Sequence, residues 1–279
     1  MNYLGIDCGG TNLRVGLVTE TGKLVQKWKV PSPLKSNPQS FAEIVKGLLE
    51  DEILEDNIDG IGIGVPGPLD LKQGLILVSA NLGNKTPIKV MAQFESVFNT
   101  KVYLDRDTIV ALLGEQWVGA AKDCQNVVML TLGTGVGGAM MVSGEIERGI
   151  GGKAGEIGHM IIQIQNSKFK SQNLPKCGLG HEGCLEALIN STDDIDEIAT
   201  YLGIGLANIV DIFNPEKIII GGGKVIFSSE NHHFLPKAIE IMREKGIKPA
   251  VDEVIVEYAK LGEWSGVYGA AKLCVNDHN

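Results

Sequence analysis

The stretch "YLGIDCGGTNLRVGLV", residues 3–18, reads as two short apolar strands folded about a glycine turn. Gly9, Gly10, Thr11 and Asn12 form that turn. Glycine accepts positive φ and leaves backbone N–H groups uncovered, so such a turn can close on a phosphate. Asp7 stands immediately ahead of it, and a bare carboxylate repels a phosphate. A divalent cation between the two resolves the conflict. Magnesium takes one or two carboxylates, several waters and phosphate oxygens, so Asp7 is read as facing Mg²⁺ directly or through its water shell.

Working outward, "KLVQKWKV" (23–30) alternates as a third strand, and a helical pattern follows at 40–54 with Ser40 as its N-cap. An apolar strand runs into the Gly/Pro loop of "IDGIGIGVPGPLD" (58–70). "KVYLDRD" (101–107) is a further strand opening into the helix "TIVALLGEQWVGAA". From residue 126 the order repeats. A second glycine hairpin, "NVVMLTLGTGVGGAMMVSGEIERG", comes first, then a helix at 195–213, the strand "KIIIGGG" (217–223), a helix at 235–246, a strand at 253–259 and a last helix at 264–274. Alternating strands and helices predict an α/β fold with mixed sheets. The repeat predicts two similar halves meeting at a cleft: a small domain of residues 1–106 joined by the C-terminal segment 264–279, and a large domain of 107–263.

The chain has 279 residues and a net charge of −9. That balance argues against nucleic acid or an anionic membrane as the main partner, since either needs a basic face. No run approaches the roughly 20 apolar residues of a membrane span. Met1 leads almost directly into "YLGID" with no basic and apolar leader, so a cytoplasmic location is expected. Five cysteines, an odd number, suit thiols or a metal site better than a disulfide framework.

In the second turn, Gly133, Thr134 and Gly135 are the phosphate candidates. Either turn alone is more readily a tight hairpin with no ligand. Two such turns, one opening each half, are read as holding a polyphosphate through backbone N–H groups and threonine hydroxyls. G-x-x-x-x-G-K-[ST] is absent, and a strand rather than a helix follows each turn, which excludes the dinucleotide fingerprint.

"GIDCGGTNLR", "GIGVPGPLD", "LGTGVGG", "GGKAGEIGH", "GCLE" and "NPEKIIIGGG" occur in the order seen in the ROK family of repressors, open reading frames and sugar kinases, which the chain resembles over nearly its whole length. The resemblance implies a two-domain, actin-like ATPase fold of the ribonuclease-H type with an interdomain cleft. It also implies transfer of the ATP γ-phosphoryl group to a hexose hydroxyl, with Mg²⁺ as cofactor. A glucokinase acting as a homodimer is the first expectation. N-acetylmannosamine, N-acetylglucosamine, fructose or allose as acceptor, and polyphosphate as donor, stay open.

Asp107 has two readings. As the first residue of a helix it can serve as a cap; as a carboxylate beside a sugar hydroxyl it can be the general base. "DTIVALLGE" resembles the family's catalytic segment and favours the base. By the same resemblance Gly67, Asn81, Glu156, His159 and Glu186 are sugar contacts, and Gly221, Gly222 and Gly223 lie against the adenosine. Arg106, at the place of a sugar-contacting asparagine, is a candidate sugar contact that can equally pair with an acid or be solvated. Arg106 and Ile109 stand where the family carries asparagines, which weakens the case for glucose more than that for a kinase. "CGLGHEGC" (177–184) resembles the family's zinc loop with Leu179 in place of its middle cysteine. His159, Cys177 and Cys184 remain as ligands and His181 is the substitute fourth, for a structural Zn²⁺; the alternative is a loop without metal. A sugar-sensing repressor is the runner-up. Such repressors carry a helix-turn-helix ahead of the first hairpin, where only Met1 and Asn2 precede Tyr3. A third reading is an actin-like ATPase without sugar chemistry.

Overall fold

Two five-stranded sheets of one plan organise the chain. The computed structural model describes residues 1–49, 58–78, 82–162, 174–223 and 234–276. Asn81 and the end of the expected helix at 40–54 lie outside the described residues.

In the first sheet, β1 (Asn2–Cys8), β2 (Asn12–Thr19) and β3 (Leu24–Pro31) form an antiparallel meander. β1 then pairs in parallel with β4 (Gly60–Val65). After the short strands β5 (Leu69–Asp70), β6 (Leu75–Ile76) and β7 (Ile88–Lys89), which make a small sheet of their own, β8 (Val102–Arg106) joins β4 in parallel. The order is β3-β2-β1-β4-β8. The second sheet repeats it. β9 (Val127–Leu132) and β10 (Val136–Val142) form the hairpin, β11 (Glu145–Ile146) pairs antiparallel with β10, and β12 (Lys217–Gly221) and β13 (Ile255–Tyr258) follow in parallel, giving β11-β10-β9-β12-β13.

The chain divides into two units: residues 1–123 with 148–153 and 263–279, and residues 124–147 with 154–262. The sequence reading ended the first domain at 106, whereas this unit runs on to Asp123. The physical reason is helix packing. The helices at the start are α1 (Phe41–Lys46) and α2 (Val90–Phe98), then α3 (Asp107–Val118). α3 packs on the C-terminal helix Ser265–Asn276, where Gly114 approaches the Ser265 carbonyl and Gly269 that of Val110 too closely for any Cβ. Glu115, fully buried, accepts the Ser265 hydroxyl at 2.7 Å and the Ala120 amide at 2.8 Å. Ser40 precedes α1, as expected, but makes no side-chain cap bond.

Glycines shape this unit in a way that composition does not suggest. In β4 the residues alternate as Gly60-Ile61-Gly62-Ile63-Gly64. Ile61, Ile63 and Val65 enter one core with Leu4, Ile6, Leu13, Val15, Phe41 and Phe94. Gly5 and Gly62, on the opposite face, lie against the backbone carbonyls of Val267 and Ala270 in the C-terminal helix. With no side chains between them, helix and sheet meet backbone to backbone.

In the second unit α4 (Leu185–Asn190), α5 (Ile195–Phe213), α6 (Phe234–Lys245) and α7 (Ala250–Glu253) accompany the sheet. The C-terminal helix is therefore α8. Asp194 caps α5 through the amides of Asp196 and Glu197. Val128, Leu130, Leu185, Leu188, Leu202, Leu206, Ile218 and Ile220 share its core.

Candidate active site

In each unit the expected phosphate and nucleotide residues, and in the first unit Gly67, Arg106 and Asp107, lie at the carboxyl ends of the three parallel strands, the edge where open α/β sheets bind ligands. Glu156, His159 and Glu186 lie instead in a short turn and in α4 of the second unit. In the first unit Asp7 and the Gly9–Asn12 turn end β1, Gly67 follows β4, and Arg106 and Asp107 end β8. In the second, Gly133, Thr134 and Gly135 follow β9, and Gly221 to Gly223 end β12.

The first turn is closed by the Gly9 N–H, which donates to the Asn12 carbonyl at 3.0 Å. Among the described residues the amides of Gly10 and Thr11 donate to no backbone acceptor. Ser32 backs the turn, its amide donating to the Thr11 carbonyl at 2.9 Å. Lys35, which sequence reasoning did not single out, lies over Gly10, with Nζ 3.7 Å from where a Cβ would stand.

Asp7 is mostly buried and carries an unusual charge environment. Arg14, its direct cross-strand partner, places Nη1 3.4 Å from Asp7 Oδ2 and Nε 3.2 Å from Glu263 Oε2. Lys29, opposite Arg14 on β3, grips the same Glu263 oxygen. Gly266, in the first turn of α8, presses on the carboxylate; a Cβ there would lie 2.6 Å from Asp7 Cγ. Burial pushes the Asp7 carboxyl up to about 7; Arg14 opposes that rise and the nearby Asp107 carboxylate adds to it. The same burial drives the Cys8 thiol up to about 12. Arg14 had a signal in the sequence: a turn centred on Gly10–Thr11 puts residue 14 across from residue 7. Glu263, from the far end of the chain, had none.

Asp107 is the first residue of α3, and Arg106 occupies the cap position without a side-chain cap bond. Asp107 Oδ1 accepts from the Thr108 amide at 2.8 Å, its own neighbour rather than a residue of the next turn. Arg106 is buried, its stem packed against Gly67.

In the second unit, the Gly133 amide closes the turn onto the Gly135 carbonyl at 2.9 Å. α4 braces it. Glu186 Oε2 accepts from the Val136 amide at 2.8 Å, and Asn190 Nδ2 donates to the Thr134 carbonyl at 2.8 Å. These two side chains, four residues apart, share one face of the helix. Gly222, at φ 99°, passes so close to the Leu132 backbone that no side chain fits, which locks the end of β12 to the start of the turn.

Behind α4 lies a Cys/His group. His159 Nδ1 is 3.7 Å from Cys177 Sγ and 4.0 Å from Cys184 Sγ, and the three donor atoms lie within 4.8 Å of one another. Zinc bonds of about 2.3 Å to sulfur and 2.0 Å to nitrogen, at a tetrahedral angle, space two donors about 3.6 Å apart. The two nitrogen–sulfur distances lie close to that spacing. His159 Nε2 points to Glu156 Oε2 at 4.0 Å, the outer carboxylate that commonly orients a ligating imidazole. The His181 ring stands 5.0 Å from that of His159, edge to face. Leu179 is 58% exposed and projects away from any donor role.

Two mixed sheets of like strand order, each with a glycine turn in its first hairpin, define an α/β protein of the actin-like ATPase fold. The ROK family model matches residues 3–193 and 189–277, and the chain belongs to the ROK family. It is 29% identical to a glucokinase of Halalkalibacterium halodurans, covering 99% of this chain and 96% of that one. A xylose repressor of Caldicellulosiruptor bescii is 27% identical over 99% of this chain and 78% of its own length. Among solved structures, the ROK hexokinase of Thermus thermophilus is 28% identical with a TM-score of 0.79, covering 99% and 100% of the two chains.

Proposed function

We propose that the protein is an ATP- and Mg²⁺-dependent sugar kinase that phosphorylates a hexose hydroxyl, with glucose as the first acceptor to test. One observation carries this reading: Asp7 near the end of β1 and Asp107 at the start of α3, just past β8, stand at the same carboxyl edge of one sheet, with the Gly9–Asn12 turn beside Asp7. A carboxylate poised for a cation beside one at a helix start is what phosphoryl transfer to an alcohol needs. The kinase names among the relatives support it.

In this reading the amides of Gly10, Thr11 and Thr134 and the two threonine hydroxyls hold phosphate oxygens. Asp7 would hold Mg²⁺ or its waters, which would supply charge neutralisation at the phosphates. Glycines 221 to 223 take the adenosine. Gly67, Asn81, Arg106, Glu156, His159 and Glu186 bind the sugar. Asp107 accepts the proton of the sugar hydroxyl as its oxygen bonds to the γ-phosphorus. The bond from that phosphorus to the β–γ bridging oxygen breaks and ADP departs. His159, Cys177 and Cys184, with His181 as the candidate fourth ligand, would hold a structural Zn²⁺.

A coupled ATP-consumption assay across glucose, N-acetylglucosamine, N-acetylmannosamine, fructose and allose tests the proposal and names the acceptor. Sugar phosphate formed from none of them, with sugar binding retained, establishes the second reading, a non-catalytic sugar sensor. The replacement of two family asparagines by Arg106 and Ile109, and the repressor among the relatives, are what favour that alternative.

A further inference from the structure

Asp105 is a carboxylate that the proposed mechanism does not use, and it is almost wholly buried. It sits on β8 two residues ahead of Asp107. Its Oδ1 accepts from the Arg106 amide at 2.8 Å, so it fixes the backbone at the point where strand turns into helix. Its Oδ2 is gripped by one guanidinium: Arg148 Nη2 at 2.6 Å and Nε at 3.2 Å. The donor comes from an unexpected part of the chain. Residues 148–153 form part of the first unit, whereas the residues on both sides of that short strap belong to the second. Gly149, Gly151 and Gly152 run at φ 61°, 72° and 71°, a path that side chains resist. Gly152 passes beside Leu71, which follows the loop of Gly67.

We propose that Arg148 is a positioning residue for the general base. Its two-donor grip on Asp105 holds the Asp105–Arg106–Asp107 turn in register, and with it both the Asp107 carboxylate and the Arg106 stem against Gly67. Two guanidinium N–H groups converge on the one oxygen Oδ2 while Oδ1 takes the Arg106 amide, a convergence that a lysine ammonium, a single point charge on a flexible stem, does not reproduce. Proton transfer falls steeply when the base is misplaced by an ångström, so the grip acts on kcat. The proposal rests on the reading of Asp107 as base.

The test uses the full chain with MgATP and the hexose that the acceptor panel selects. Arg148→Met should lower kcat by about 10- to 100-fold, leave KM for MgATP nearly unchanged, and leave the circular dichroism of the fold intact. Arg148→Lys, which keeps the charge but not the fork, should recover part of the loss, and carries the test if the methionine variant fails to fold. Asp105→Asn should act in the same direction, and the double variant Arg148→Met/Asp105→Asn should be no worse than the weaker single one, because both remove the same contact. Asp107→Asn is run beside them. Wild-type kcat in a folded Arg148→Met, or losses that simply add in the double variant, overturns this proposal while an inactive Asp107→Asn leaves the base reading standing. An active Asp107→Asn, or a wild type silent on every hexose, overturns both.

Discussion

Glu186 Oε2 accepts the backbone amide of Val136 at 2.8 Å, so a helix residue expected at the sugar reaches the turn expected at the phosphates. Gly135 has no Cβ because that carboxylate occupies the space. Removing the acceptor should therefore loosen the turn. A charge-assisted hydrogen bond is worth about 1.5–3 kcal/mol, so Glu186→Ala should raise KM for MgATP about tenfold or more, in addition to any loss at the sugar. Glu186→Gln keeps an acceptor oxygen and should lose less. Gly135→Ala, which places a methyl against the carboxylate, should mimic the alanine variant in nucleotide affinity alone. Steady-state kinetics with each substrate varied in turn separate the two effects. An unchanged KM for MgATP in both alanine variants removes the brace.

Asp7 gives a pH dependence of definite sign. Its carboxyl is raised to about 7 in the folded chain by burial, against roughly 3.9 unfolded. Between those values the folded state holds a proton that the unfolded state has lost. The stabilisation is complete below about pH 4 and is lost as pH rises through 7, on the order of a few kcal/mol. Asp7→Asn cannot titrate, so its stability relative to wild type should rise from pH 5 to pH 8. Urea unfolding of the two proteins at matched pH measures the difference. Because a protonated carboxyl cannot serve a cation, kcat/KM for MgATP should rise as pH passes about 7 in wild type. A pH-independent stability difference sinks the assignment.

The glycine seat under α8 makes a prediction about the fold alone. Gly62 and Gly269 each leave no room for a Cβ against backbone, which cannot swing aside as a side chain can. Overpacking a core costs about 1–3 kcal/mol where side chains can shift, and here they cannot. Gly62→Val and Gly269→Val should each lower the unfolding free energy by at least about 3 kcal/mol or fail to fold. Gly133→Ala, where nothing lies within 4 Å of the added carbon, is the control and should keep wild-type stability by thermal melting.

Much of this architecture was legible in advance because it depends on local pattern. Short apolar runs on either side of a glycine turn, at residues 3–18 and from 126, marked both hairpins, and the strand starts fall within a residue or two of those expected. The helix Val90–Phe98 was overlooked although Val90, Phe94 and Phe98 recur at helical spacing behind the turn residues Gly83, Asn84 and Pro87. What local pattern cannot carry is pairing at a distance. Nothing in "GIGIGV" announces a helix that begins about 200 residues later, so the segment reads as an apolar strand with no sign that its glycines are a seat. The unit boundary moved from 106 to 123 for the same reason, since α3 is bound to that helix. Asp105 with Arg148, and Arg14 with Glu263, likewise join residues far apart in sequence. Of the residues named from motifs, those of the two glycine turns lie beside strand ends; Arg14, Glu263 and Arg148, which contact neighbours of the first turn or of Asp107, were not singled out.

The Cys/His group separates a metal site from a degenerate loop. Cys184 is buried at the start of α4, and α4 carries both Glu186 and Asn190 to the phosphate turn. A cation bound by His159, Cys177 and Cys184 therefore anchors the brace as well as the loop. Protein purified without chelator should contain about one zinc per chain, as a structural site of this donor set requires. Removing it with a strong chelator should lower the melting temperature by several degrees, since a ligand that binds only the folded state stabilises it. KM for MgATP should rise with the loss. Cys184→Ser should abolish retention, and His181→Ala should weaken it while leaving the trio. Metal content near zero by elemental analysis, with a melting temperature indifferent to chelator, would mean that these side chains pack without a cation and that α4 is held by its apolar face alone.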